Sequence, residues 1–110
     1  MKVKEFAEKT QWSYIGDEAA LDKEISGVFC GDLLSWVMGN AKSGQLWLTV
    51  QTHLNVVAVA QLKEISALII VSGAQAEAET IERAKEEGLA IFQIDQSAYE
   101  ACCACHALGL

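Results

Sequence analysis

Proline is absent from all 110 residues, and the chain has no glycine- or serine-rich tract and no low-complexity block. Rigid spacers and flexible linkers are thereby excluded, and the eight glycines are scattered singly where turns are expected. The chain reads as one domain over residues 1–110, long enough to bury a core and too short to divide. Arginine is nearly absent as well: Arg83 is the only one, and fifteen acids against eight basic residues give a net charge of −7. A phosphate-backbone footprint is hard to assemble from that inventory, so nucleic acid is not an expected partner. Long apolar runs are also missing. The greasiest, Ala67 to Val71, is strand-sized and far from the roughly 18 residues of a membrane span, so no membrane partner is expected. The N-terminal Met1-Lys2-Val3-Lys4-Glu5-Phe6 meets a charge every two or three residues and lacks a signal peptide's unbroken apolar stretch. A cytoplasmic location is the expectation.

What is present is 52% hydrophobic content, unevenly charged. Gly27 to Ala76 holds only Asp32, Lys42, Lys63 and Glu64, whereas acids crowd both flanks. A neutral, apolar middle points to a buried sheet and to an interface between two copies, so a homodimer is expected.

Periodicity divides the chain into elements. Val3 to Lys9 places Val3, Phe6 and Ala7 on one helical face. Trp12 to Ile15 reads as a strand. A turn at Gly16-Asp17 leads through the acidic Glu18 to Glu24 into a second strand, Ile25 to Cys30, with Gly27 marking a bulge. Asp32 is placed to cap a helix whose buried face is Leu33, Leu34, Val37 and Met38, stopped at Gly39-Asn40. A regular alternation follows: strand Leu46 to Val50, helix Leu54 to Lys63, strand Ala67 to Val71, helix Ala76 to Glu87, strand Leu89 to Ile94, helix Ser97 to about Leu108. Successive strand-helix units with short turns demand a parallel sheet with covering helices. The expected fold is α/β and three-layered, with a mostly parallel central sheet and a βαβαβα C-terminal half. No G-x-G-x-x-G or G-x-x-x-x-G-K-[ST] follows any strand, so the dinucleotide and P-loop fingerprints are absent.

In an open parallel sheet, ligands bind beyond the carboxyl ends of the strands, where helix N-termini also point. That rule selects three loops. In Thr49-Val50-Gln51-Thr52-His53-Leu54-Asn55, Thr52 is the expected helix N-cap, and Thr49, Gln51, His53 and Asn55 supply polar groups for a bound molecule. Ser72-Gly73-Ala74 follows the most apolar strand, and a glycine there admits close backbone approach. Asp95-Gln96-Ser97 adds an acid and a second N-cap, Ser97. Together they predict ligand-binding residues Thr49, Gln51, Thr52, His53, Asn55, Ser72, Gly73 and Asp95, with a pocket lined by Gln51, His53, Asn55 and Ser72. No nucleophile, base and orienting acid stand at a recognisable spacing, so no catalytic residue is assigned.

Four cysteines in a cytoplasmic chain are expected to be reduced. Cys102-Cys103-Ala104-Cys105-His106 formally matches C-x-x-C-H, the c-type haem attachment pattern, but that chemistry belongs to exported proteins. The alternative is a metal or iron–sulfur redox component using Cys102, Cys105 and His106; otherwise these are small residues packing the last helix, with no cofactor. Acids and bases of Glu77 to Glu87 read as the solvated face of a helix turned inward at Ala78, Ile81 and Ala84. Of Trp12, Trp36 and Trp47, Trp36 lies off the apolar stripe and is expected to be partly exposed.

From Gly31-Asp32-Leu33-Leu34-Ser35 through Leu46 to Ala60, with its Thr49-Val50-Gln51-Thr52-His53 stretch, and on to Ser72-Gly73, the chain resembles a DRTGG domain. More narrowly it is similar to short stand-alone DRTGG proteins of anaerobic bacteria, over nearly its whole length. The resemblance implies an α/β fold akin to the N-terminal domain of HPr kinase/phosphorylase, without the kinase's P-loop, and a tendency to dimerise. It also implies a non-enzymatic regulatory or ligand-sensing role, since DRTGG domains accompany nucleotide-sensing CBS domains in some pyrophosphatases and occur in phosphate acetyltransferases. Related short proteins are often encoded near iron hydrogenase and sensor-kinase components, so the implied partner is a signalling or hydrogenase-related protein. Here Gln51-Thr52-His53 stands where an Asp-Arg pair is usual, and Ser72-Gly73-Ala74 where Thr-Gly-Gly is usual. The arginine that would contact a phosphate is the residue replaced.

Overall fold

A strand covered on both faces is apolar throughout, and the run Ala67–Ile70, apolar and buried at every position, forms the centre of the sheet in the computed structural model, which describes residues 1–110. The chain runs through helix α1 (Val3–Thr10), strand β1 (Ser13–Ile15), a 3-10 turn (Glu18–Asp22), β2 (Gly27–Cys30), α2 (Leu34–Asn40), β3 (Gln45–Thr49), α3 (Asn55–Leu62), β4 (Ala67–Ile70), α4 (Ala78–Glu87), β5 (Ala90–Gln93) and α5 (Ala98–Ala107). The sheet order is β1-β5-β4-β3-β2. β2 to β5 are parallel, with Leu46 beside Ala67 and Ala67 beside Ala90. β1 closes the far edge antiparallel to β5, pairing Ser13 with Gln93 and Ile15 with Ile91.

Each crossover from β2 to β5 advances one strand in the same direction, so crossovers of one hand put α2, α3 and α4 on a single face. The core divides accordingly. Trp47, Leu68, Ile70 and Ile91 point toward Val37, Val56, Val57, Ala60 and Ala84 of those helices. The alternate residues Leu46, Leu48, Ile69 and Phe92 point the other way, toward Val3 and Phe6 of α1, Ala20, and Ala101 and Cys105 of α5. The result is a three-layer α/β fold. Phe6 fixes α1 to the sheet by edge-to-face contacts with Phe92 and Trp12, both at 5.5 Å between ring centroids. α5 starts from a capping box: Glu100 N–H donates to the Ser97 hydroxyl and Ser97 N–H to the Glu100 carboxylate, as the Ser97 assignment anticipates. No helix is long and apolar enough to cross a membrane.

Four local expectations are corrected. Gly27 makes no bulge, because β2 pairs with β3 in unbroken register. Of the four residues assigned to the buried face of α2, only Val37 is buried; Leu33 is 68% exposed and Met38 lies at the surface. α2 covers the outermost parallel strand, so one residue per turn suffices to reach the sheet. On α4, Ala78 is exposed and Thr80 takes the buried place beside Ala84. Neither Asp32 nor Thr52 caps a helix: α2 and α3 begin at Leu33 and Leu54 without side-chain caps, and the Asp32 carboxylate is engaged by Thr49 and Val50 instead. Trp36 is 60% exposed, as its position off the stripe predicts.

Candidate functional site

The carboxyl ends of β2 to β5 lie on one edge of the sheet and bring together residues far apart in sequence. Next to the β2 end, Asp32 accepts from the Thr49 hydroxyl at 2.8 Å and from Val50 N–H at 2.9 Å, both on Oδ1. Gln51 turns back to the same place, its side-chain amide donating to the Asp32 carbonyl at 3.0 Å and its N–H to the Thr49 hydroxyl at 3.2 Å. Thr49 is buried, so its hydroxyl needs these partners. Asp32 is the residue that capping logic misplaces: an aspartate before an apolar helical run reads as an N-cap, while its actual partners lie seventeen and eighteen residues on.

The middle of this loop is tied down differently. The Thr52 carbonyl accepts from the buried Thr80 hydroxyl at 2.9 Å and from Glu77 N–H at 3.3 Å, which links the start of α4 to the end of β3. His53 is exposed and its Nδ1 accepts from Asn55 N–H at 3.3 Å. One ring nitrogen is thus used locally, and the assignment of Thr52 as cap passes to the turn His53 itself makes.

At the β4 and β5 ends, Ser72 and Gly73 both adopt left-handed backbone, with φ of 62° and 76°. Gly73 fits this conformation without strain, whereas Ser72 holds it as a side-chain-bearing residue. The N–H groups of Ser72, Gly73 and Ala74 donate to the carbonyls of Gln96, Ile94 and Val71. With these three successive amides spent on carbonyls, the Ser72-Gly73-Ala74 turn itself offers no phosphate cradle. Asp95 stands across from Gly73, and a Cβ placed on the glycine would lie 3.6 Å from the Asp95 carboxylate. Gly73, Ala74, Gln75, Gln93, Ile94, Asp95 and Ser13 line a hollow of about 150 Å³ that is open to solvent. Gln93 Oε1 accepts from Ala76 N–H at 2.6 Å, leaving its amide NH₂ free to donate.

The predicted residues therefore divide among three places. Gly73 and Asp95 share the hollow, with Ser72 on its loop. Thr49, Gln51 and Thr52 build the scaffold beside it. Asn55 lines a separate groove of about 350 Å³ between α3 and α4, with Leu54, Val57, Gln61, Arg83 and Glu87. The single pocket expected from Gln51, His53, Asn55 and Ser72 is not formed, because Gln51 turns onto Asp32 and Asn55 faces the α4 side. Ser13, Gln75 and Gln93 are the site residues the sequence conceals; Ser13 arrives only through the antiparallel β1–β5 pairing. Electrostatically the edge is acidic. Loops 31–33, 50–54, 71–77 and 94–97 carry Asp32, Glu77, Asp95 and His53, and neither lysine nor arginine.

Cys102, Cys105 and His106 do not converge. Cys105 is buried in the core, His106 is exposed on the other side of α5, and nowhere do three or more histidine, cysteine or acidic side chains gather as metal ligands. Burial holds the Cys105 thiol protonated, its pKa pushed up to about 11.

No family model matches this chain, and no curated protein matches it.

Proposed function

We propose that the protein is a non-enzymatic, DRTGG-type sensing module that works as a homodimer and binds a small cationic or neutral polar molecule in the hollow between Gly73 and Asp95. The observation that carries this reading is chemical: the strand-end loops bear three acids and no lysine or arginine, and the Ser72-Gly73-Ala74 amides are occupied. Such an edge repels phosphates and attracts an amine, with Asp95 as counter-ion, Gln93 and Ser13 as hydrogen-bonding neighbours, and Ser72 on the adjoining turn. Regulation without chemistry suits a site lacking a nucleophile held by a base.

The dimer surface that suits this reading lies at the opposite edge. β2 pairs only with β3, so its outer side is open, and Leu33, Trp36, Met38 and Val50 are exposed beside it. The occupant is a second copy: two chains of charge −7 repel over most of their surface, and this neutral stretch is where they can meet.

Thermal unfolding with putrescine, agmatine and neutral amino acids, set against inorganic phosphate and ATP, tests the ligand class. Stabilisation by the amines that disappears in Asp95→Asn is expected. Stabilisation by phosphate or ATP alone would overturn the reading.

A further inference from the structure

Strand β2 alternates its side chains between the two cores. Val28 packs into the layer of α1 and α5, and Phe29 into the layer of α2 to α4, so Cys30 returns to the α5 side. α5 packs on β2 and β3, and its inner face carries Ala98, Ala101, Cys102 and Cys105, all set against that same core. Strand parity and helix face put Cys30 and Cys102 on the facing sides of β2 and α5 although seventy-two positions separate them, and burial together with the neighbouring Cys102 thiol pushes the Cys30 pKa up to about 11. The other helix cysteines are placed differently: Cys105 is sealed in the core and Cys103 is exposed on the outside. Cys30 itself is exposed, so a small oxidant can reach the pair from solvent.

We propose that Cys30 and Cys102 form a reversible dithiol–disulfide site that a low-molecular-weight disulfide oxidises, stapling the open edge strand β2 to helix α5. The reaction is thiol–disulfide exchange. The thiolate of one cysteine attacks the small disulfide and expels one thiolate; the other cysteine, after losing its proton, attacks the mixed disulfide and expels the second. Two protein thiols and one small disulfide become one protein disulfide and two small thiols, and the protons lost by the cysteines end on the released thiolates. Cys30 lies two residues before Asp32, so the staple fixes the strand whose end anchors the Thr49 to Gln51 loop. Its consequence is to make that anchor less mobile in the oxidised state.

The test uses the full chain, reduced, desalted and then incubated with oxidised glutathione, with intact mass and non-reduced tryptic mapping as readouts. The expected product is a monomer lighter by two hydrogens in which peptide 24–42 is linked to peptide 86–110, and dithiothreitol reverses it. Cys103→Ser and Cys105→Ala keep the link, whereas Cys30→Ser and Cys102→Ser lose it and retain glutathione on the remaining thiol. Circular dichroism of the exposed-site variant Cys30→Ser confirms that it is folded when scored. A bridge within peptide 86–110, a bridge between two chains, or glutathione adducts without any internal bridge would overturn the proposal.

Discussion

The hydroxyl of Thr49, the last residue of β3, donates to Asp32 Oδ1 at 2.8 Å, and the same oxygen receives Val50 N–H. This contact joins the ends of two neighbouring parallel strands and fixes where the polar loop departs. Replacing Asp32 with alanine leaves a buried hydroxyl and an amide without their acceptor, a loss of about 1–3 kcal/mol. Asp32→Asn retains a carbonyl oxygen at the same place and should lose less than about 1 kcal/mol. Urea unfolding midpoints of the two variants at unchanged slope check the difference.

Trp36 projects from α2 into solvent, 60% exposed, with Leu33 one turn behind it at 68%. If these residues meet their counterparts in a second copy, Trp36→Glu places two like charges in the contact and separates the copies. The expected outcome in sedimentation velocity is a shift from dimer to monomer, with the unfolding transition of the monomer otherwise retained because Trp36 packs into neither core. A wild-type chain that sediments as a monomer at all concentrations would sink the dimer.

The alternation of strands and helices was legible because each β-to-α unit buries its apolar residues against near neighbours in sequence: Ala67 to Val71 is apolar at every position and is a central strand. What stayed hidden depends on long-range pairing. Nothing local in Trp12 to Ile15 says that it will lie antiparallel beside β5, and with that pairing goes Ser13 at the candidate site. The cap assignments of Asp32 and Thr52 failed for a related reason. Both residues have the composition of a cap, but Thr49 and Val50, brought near only by the completed sheet, take the Asp32 carboxylate, and at the start of α3 it is the His53 ring, one residue on from Thr52, that accepts a backbone N–H, from Asn55. Ser97 succeeded because its partner, Glu100, is three residues away.

Cys105 gives the protein an alkaline limit. Burial raises its pKa from the ordinary 9.0 to about 11, because the thiolate would lose its hydration in the core. Below about pH 9 the thiol is protonated in both folded and unfolded chains and this contribution is fully present; above it, the unfolded chain releases the proton first. Stability is therefore lost as pH rises from about 9 through about 11, on the order of 2 kcal/mol for this group. Cys105→Ala removes that slope at the cost of a small cavity, so its unfolding free energy should vary less between pH 8.5 and about 10.5 than that of the parent chain. An equal slope in both would assign the alkaline loss to other groups.

Ser72 keeps a side chain at φ 62°, where glycine would be easier, and that side chain makes no hydrogen bond within the protein. A left-handed conformation disfavours a non-glycine residue by about 1–2 kcal/mol, partly offset by the greater freedom glycine gains on unfolding. Ser72→Gly should therefore stabilise the chain, by about 0.5–1 kcal/mol in urea unfolding. Ser72 directly precedes Gly73, which lines the Asp95 hollow, so its hydroxyl, free of protein partners, is placed to be tested as a contact for a molecule bound there. Ser72→Ala separates the two effects: it keeps the strained backbone and removes only the hydroxyl. Both variants should weaken the thermal stabilisation by amines, while only Ser72→Gly raises the unfolding midpoint of the unliganded chain. Amine binding undiminished in Ser72→Ala would remove the hydroxyl from the site and leave the hollow to Asp95 and Gln93.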